Sequence, residues 1–442
     1  MQGWTVTPSA WVVGWVLALT CRVAAASEIL AHERYTLDNG LDVILHEDRR
    51  LPLVAVDLAY HAGSMHDGSH PGVAHLVEHL MFRGTADLAD GELGERLFDA
   101  GAMGTNAETR PDHTTYHTVV PADQLPLALW LESNRMAYAL PAVTNRTVEQ
   151  EMQTTVDEWE SRVASERDGD AYWAAWSALF PPGHPFHAPG PETIERLRPE
   201  HAQQWIRRYH GPANATLVLA GDLPADVREQ VQRTFGHRSG GQRPSRPEVA
   251  RHLPGEQRIT HTSTLASTAM VVVAWPTPGL YEAGDAAADV LAFTLEANRL
   301  SSMLDALAPK TFLDVTASQV SRRGQSLFVI TARGNTSAQP LPMLAAIDHA
   351  LQQLRSNPLA DDDLRRARRR LTVDTLRNLQ RLDQRAATLR HYAVSGKDPD
   401  WLDQDLARYD AVDERGVAKF VDDWLSSDQR VVVLASPAPG AP

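Results

Sequence analysis

One order of strand-like and helix-like segments runs through this chain twice, on either side of a stretch too rich in glycine and proline to hold regular structure. That stretch, His237 to Glu256, contains Gly240-Gly241, Pro244, Pro247 and Pro254 and reads as a linker. Before it, Leu41 to His46 and Val54 to His61 are apolar runs of strand length separated by the polar turn Glu47 to Arg50, which predicts a hairpin. Val73 to Phe82 carries apolar residues at helical spacing and predicts a buried helix. A strand over Thr114 to Val120, long helices over Ala122 to Arg135 and Val143 to Ser165, and an apolar strand over Ala215 to Ala220 ending in Gly221-Asp222 complete the first set. The second set is a strand over Ala269 to Trp275, a helix over Ala283 to Leu307, a strand over Ser326 to Thr331, helices over Leu341 to Leu354 and Asp361 to Leu379, and a strand over Arg430 to Ala435. This plan predicts an α+β chain of two similar α/β sandwich lobes, 27–236 and 257–442, each a mixed or antiparallel sheet covered by helices.

The chain has 442 residues, 43% of them hydrophobic, so it can bury sizeable cores. Its 56 acidic residues outnumber the 42 Lys and Arg, and the formal charge of -14 argues against a broad nucleic-acid-binding surface. The first 26 residues read as a leader. An apolar run from Trp11 to Thr20 is too short to span a bilayer and is followed by Ala24-Ala25-Ala26, a small-residue cleavage site. Cleavage after Ala26 removes Cys21, the only cysteine, and with it any disulfide or thiolate metal site; Cys21 is also the one residue a lipid could modify. No stable membrane span remains after cleavage; the alternative is a signal anchor. Export predicts a periplasmic protein of a Gram-negative bacterium, and the near absence of lysine, present only at Lys310, Lys397 and Lys419, hints at a GC-rich bacterial genome. Arg365, Arg366, Arg368, Arg369 and Arg370 crowd one predicted helix and read as a solvated or interface face.

The chemistry concentrates in the first buried helix, at His75-Leu76-Val77-Glu78-His79. Residues four apart on a helix share a face with Cβ atoms about 6 Å apart, so the two imidazoles can converge on one zinc ion. Glu78 falls beside them, where its carboxylate can act as a general base on a water held there. A catalytic zinc takes three protein ligands and leaves one position open. Glu151 and Glu158, two turns apart on a predicted helix, are the candidates for the third, with the other free to orient a ligating histidine.

His75 through Thr85 (HLVEHLMFRGT), Asn106-Ala107, Thr114-Thr115-Tyr116, Glu151 and Glu158 together resemble the pitrilysin family of inverzincins, which includes insulin-degrading enzyme and the mitochondrial processing peptidase. The resemblance implies one zinc per chain on His75, His79 and Glu158, with Glu78 as the base and Glu151 hydrogen-bonded to a ligating histidine. It implies a zinc endopeptidase of peptides or unfolded polypeptides, with Gly104 to Thr109 as the edge strand that receives an extended substrate and Asn106 and Ala107 as its hydrogen-bonding positions. It implies one half of a clamshell, and it gives His184 a structural role.

Self-sufficient members of that family place an Arg and, seven positions later, a Tyr after the second lobe's helix. Leu304 to Val315 contains neither, and Arg385 and Tyr392, though correctly separated, fall in a later helical pattern. The resemblance is therefore to half-size members whose inactive homologue supplies the missing pair, and it implies a heterodimer. The alternatives are a homodimer with a different donor such as Arg299, and a catalytically silent scaffold or binding subunit. An intact Glu78 speaks against the scaffold.

Overall fold

A computed structural model describes residues 29–165, 169–249, 253–357 and 359–438. The leader through Ala26, Cys21 and the cleavage point before Ser27 lie outside the described residues. Two sheets carry the architecture. The first has six strands, β1 (Glu33–Thr36), β2 (Asp42–Glu47), β3 (Leu53–Tyr60), β4 (Met103–Thr109), β5 (Thr114–Pro121) and β6 (Ala215–Gly221), in the order β1-β2-β6-β3-β5-β4. The second has five, β7 (Gln257–Ser263), β8 (Met270–Pro278), β9 (Phe312–Val320), β10 (Gln325–Gly334) and β11 (Val431–Pro437), in the order β7-β11-β8-β10-β9. In each, the last strand in sequence sits inside the sheet, parallel to one neighbour and antiparallel to the other.

The expected hairpin of β2 and β3 does not form, because β6 lies between them. Every residue of β6 is buried, so both its edges must find backbone partners, and it pairs with β2 at Val43↔Leu217 and with β3 at Val56↔Leu219. The polar turn after β2 crosses over the end of β6 and is tied down there by Asp48 N donating to Gly221 O. Gly221 has φ +139°, and a Cβ on it would stand 2.1 Å from the Leu53 carbonyl oxygen, so only glycine fits beneath the crossing.

The helices relevant to function are α1 (Val73–Leu80), α2 (Leu125–Tyr138), α3 (Asn145–Ser165), α4 (Gly169–Leu179), α5 (Asp285–Thr294), α6 (Pro340–Ser356), α7 (Asp361–Asn378), α8 (Leu382–Ser395) and α9 (Glu414–Trp424). The single helix expected over Ala283 to Leu307 breaks at Ala297 and Asn298, where Asn298 takes φ +67°, a conformation that asparagine tolerates better than most side chains. The basic run on α7 is a solvated face: Arg365, Arg366 and Arg370 pair with Asp361, Asp363 and Asp374 one turn away.

One face of each sheet is covered by helices of its own half. Val43, Val56 and Leu58 pack on α1 and α2, while Val271, Val273 and Phe328 pack on α5, α6 and α9. The opposite faces are covered by exchange. Ile44, Ala55, Val218 and Ala220 of the first sheet meet Ala386, Leu389 and Tyr392 of α8. Met270, Val272, Val329 and Val433 of the second sheet meet Ala171, Ala175 and Trp176 of α4. Each half therefore closes a core of the other.

Candidate active site

Helix α1 exists because Val73, Ala74, Leu76, Val77 and Leu80 bury one face, leaving His75, Glu78 and His79 on the other. It starts at Gly72, whose φ of +94° excludes most side chains and which offers no cap of its own. Asp67 supplies one instead, its carboxylate accepting from Gly72 N at 2.6 Å and Ala74 N at 3.1 Å. Helix α3 lies across α1 and presents Glu151 and Glu158 from the same face.

Three atoms converge. His75 Nε2 and His79 Nε2 are 3.3 Å apart, and Glu158 Oε2 lies 3.5 Å from the first and 3.6 Å from the second. Ligand atoms about 2.0–2.2 Å from a tetrahedral zinc stand about 3.3–3.6 Å from one another, so this triangle fits such an ion. Burial and the neighbouring His79 push His75 down to about 3, which keeps its imidazole neutral with a free lone pair. His79 feels the same burial, but the Glu151 hydrogen bond and nearby carboxylates hold it above its ordinary value.

Glu151 is buried and turned away from the triangle. Its Oε2 lies 3.0 Å from His79 Nδ1, and its Oε1 accepts from Arg83 Nε. A proton on Nδ1 in that bond leaves the Nε2 lone pair facing the triangle. Glu78, between the histidines in sequence, lines the same cavity: burial raises its carboxyl against a hydrogen bond from Thr109, and its Oε2 is buried without a partner among the described residues. That leaves one carboxylate oxygen beside the cluster available for a proton.

The cluster opens on a cavity of about 930 Å³. Strand β4 forms one wall. It pairs with β5 on one side only, as at Asn106↔His117 and Ala107↔Tyr116, so among the described residues no strand pairs with its other edge, and Asn106 and Ala107 line the cavity. The remaining expected positions separate. His184 accepts from Phe186 N at 3.0 Å and packs on Phe180, a loop-holding role. Arg385 is buried against Asp48 and the Leu379 carbonyl, and Tyr392 donates to Asp405, so neither is free for substrate. Arg299 lines a separate cavity with Arg366 and Arg370.

Sequence reasoning did not find Asp67, Arg83 or the Arg322 and Trp176 pair that forms the cavity's far wall. Only Arg83 left a trace, as part of the motif that carries the family resemblance.

Residues 42–175 match the family model described as Insulinase (Peptidase family M16), and residues 196–371 match the one described as Peptidase M16 inactive domain. The chain belongs to peptidase family M16. A Helicobacter pylori protein named zinc protease PqqE is 22% identical to this M16 chain over 391 residues, covering 86% of this chain and 87% of that one. An uncharacterized zinc protease of Mycobacterium bovis is 28% identical over 256 residues, covering 57% of this chain and 58% of the relative. In fold, the M16 chain is similar to the crystal structure of a protease from Helicobacter pylori, with a TM-score of 0.83 at 20% identity over 92% of this chain and 99% of the other. It also matches the periplasmic protease PqqL from Escherichia coli, with a TM-score of 0.75 at 16% identity over 93% of this chain but 49% of that one.

Proposed function

We propose that this chain is a zinc-dependent endopeptidase acting on extended peptides or unfolded polypeptides. The observation that carries the reading is the juxtaposition of a zinc-sized triangle of donor atoms, an unpartnered carboxylate oxygen and a free strand edge in one cavity. His75, His79 and Glu158 hold the metal, and relatives named as zinc proteases support its identity. When bound, zinc lowers the pKa of water toward about 7 and polarises a carbonyl. Glu78 takes the proton of the attacking water and returns it to the leaving amine. Glu151 and Arg83 hold His79 in its tautomer. The free edge of β4 adds the substrate as a further strand, with Asn106 and Ala107 among its contacts, which restricts cleavage to segments that can extend.

The chain acts in the periplasm, paired with a homologous half-size subunit that supplies the Arg and Tyr its second lobe lacks. The periplasmic protease PqqL is matched over about half of its chain, which supports a second half as partner. No helix among the described residues is long and apolar enough to cross a membrane. The test is hydrolysis of unstructured peptides by the purified chain, with chelator and with zinc restored, alone and with a homologue from the same cell. Zinc-dependent cleavage supports the reading, and cleavage by the isolated chain removes the need for a partner. A zinc-loaded chain inert in every combination would return it to the scaffold class.

A further inference from the structure

The turn between β9 and β10 reaches from the second sheet into the wall of the zinc-type cavity and places Arg322 there. The turn is rigid: Arg322 N donates to Ser326 Oγ at 3.0 Å, and its carbonyl accepts from Leu280 N at 2.7 Å. The guanidinium stacks over the Trp176 ring, with its carbon 4.2 Å from the ring centre, and lies 5.6 Å from that of Phe186. The contact holds the group over the ring face, and among the described residues no carboxylate occupies its N–H edge, the Tyr172 phenol of the same cavity being the group that acts on it most favourably.

Other charges in the same cavity are paired or open to water. Arg83 is held by Glu151 and Asp90, and Arg110 by Glu108. Arg162 is exposed to water on α3. Asp112, whose field reaches Arg322, is itself taken by His113 at 2.7 Å and Arg323 at 3.9 Å. Among the described residues no carboxylate pairs with Arg322. Burial pushes its guanidinium down to about 10, against the opposing pull of Tyr172 and Asp112.

We infer that Arg322 is the receptor for a substrate carboxylate, so that this protein selects polypeptides by an acidic side chain or a free C-terminus seated against Trp176 and Phe186. A planar carboxylate is the group a stacked guanidinium accepts through two parallel hydrogen bonds. The inference rests on the peptidase reading for the identity of its ligand as a polypeptide. It adds a selectivity that the metal cluster cannot provide.

The experiment measures binding and turnover separately. Calorimetry on the zinc-loaded Glu78→Gln chain reads the affinity of short unstructured peptides that are amidated at the C-terminus and carry one glutamate, against counterparts with glutamine there. A second arm compares the neutral peptide as free acid and as amide. The carboxylate form binds about ten- to a hundredfold tighter in at least one arm, and Arg322→Gln brings that ratio close to one. The arm that responds names the source of the carboxylate. Arg322→Lys keeps charge and stem but not the paired edge, so it lowers the ratio partway, and it answers the question if the glutamine variant does not fold. Ratios near one with Arg322 intact, or unchanged by both variants, overturn the inference. Hydrolysis of the same peptides by the zinc-loaded wild-type chain judges the peptidase reading: selective binding without cleavage would remove that reading and leave the carboxylate site standing.

Discussion

The carboxylates of the site divide by what surrounds each one. Glu158 lies within reach of both imidazole Nε2 atoms, Glu151 is taken up by His79 and Arg83, and Glu78 keeps an oxygen free. Their substitutions therefore fail differently. Glu78→Gln retains zinc, measured by atomic absorption, while kcat falls by about a hundred- to ten-thousandfold, the usual range for a lost general base. Glu158→Ala empties the site. Glu151→Gln retains a weakened site, with metal affinity down about ten- to a hundredfold because His79 loses the partner that sets its tautomer. The spacing of His75 and His79 was legible as a helical face, and two carboxylates two turns apart were legible as a pair. Which of the two faced the histidines was not, because it depends on how α3 crosses α1. Arg322 was invisible for a related reason: it is nearly 250 positions from His75, and only the folded chain brings it to the cavity.

At the level of elements, α1 depends on a cap that its own first residue cannot provide. Asp67→Ala leaves two backbone N–H groups of the first turn without their acceptor and costs about 1–2 kcal/mol, read as a lower melting temperature, with zinc affinity falling as well because His75 sits one turn away. The strands that line the core were found from their apolar runs, whereas β4 has four exposed residues at its start and no such run. Its place was available only through the family resemblance. The missed crossing of β6 between β2 and β3 has the same origin, since a local pattern shows that a strand is buried and not which strands it joins. Gly221→Ala tests that crossing directly. With a Cβ 2.1 Å from the Leu53 carbonyl, the turn must shift, and refolded protein shows lost amide protection in β2 and β3 by hydrogen exchange.

Taken whole, the molecule is two halves that cannot be separated cleanly, although its sequence divides so evenly at the linker. Expression of 29–240 alone bares the face of the first sheet that α8 covers, and that fragment is expected to bind a hydrophobic dye and to aggregate, with co-expression of 253–438 restoring a compact, dye-silent complex. An ionic contact spans the same junction. Asp48 is held down to about 2 by its hydrogen bonds to Arg50, against the effect of burial, with Arg385 of α8 adding to the pull. A carboxylate depressed in the fold stabilises above its unfolded pKa, about 3.9, and loses that contribution as pH falls through the folded value. The melting-temperature gap between wild type and Asp48→Asn should thus be full above about pH 4 and close as pH falls toward about 2. The exchange of helices also sets a schedule. The first sheet has all its strands once Gly221 has been made, yet the helix that seals its far side ends at Ser395. At ribosomal rates of about 5–20 residues per second that gap lasts roughly ten to thirty seconds, during which the newborn chain carries an unsealed sticky face. Whether it folds at the ribosome or after export, its conversion to the finished form waits on its own last quarter.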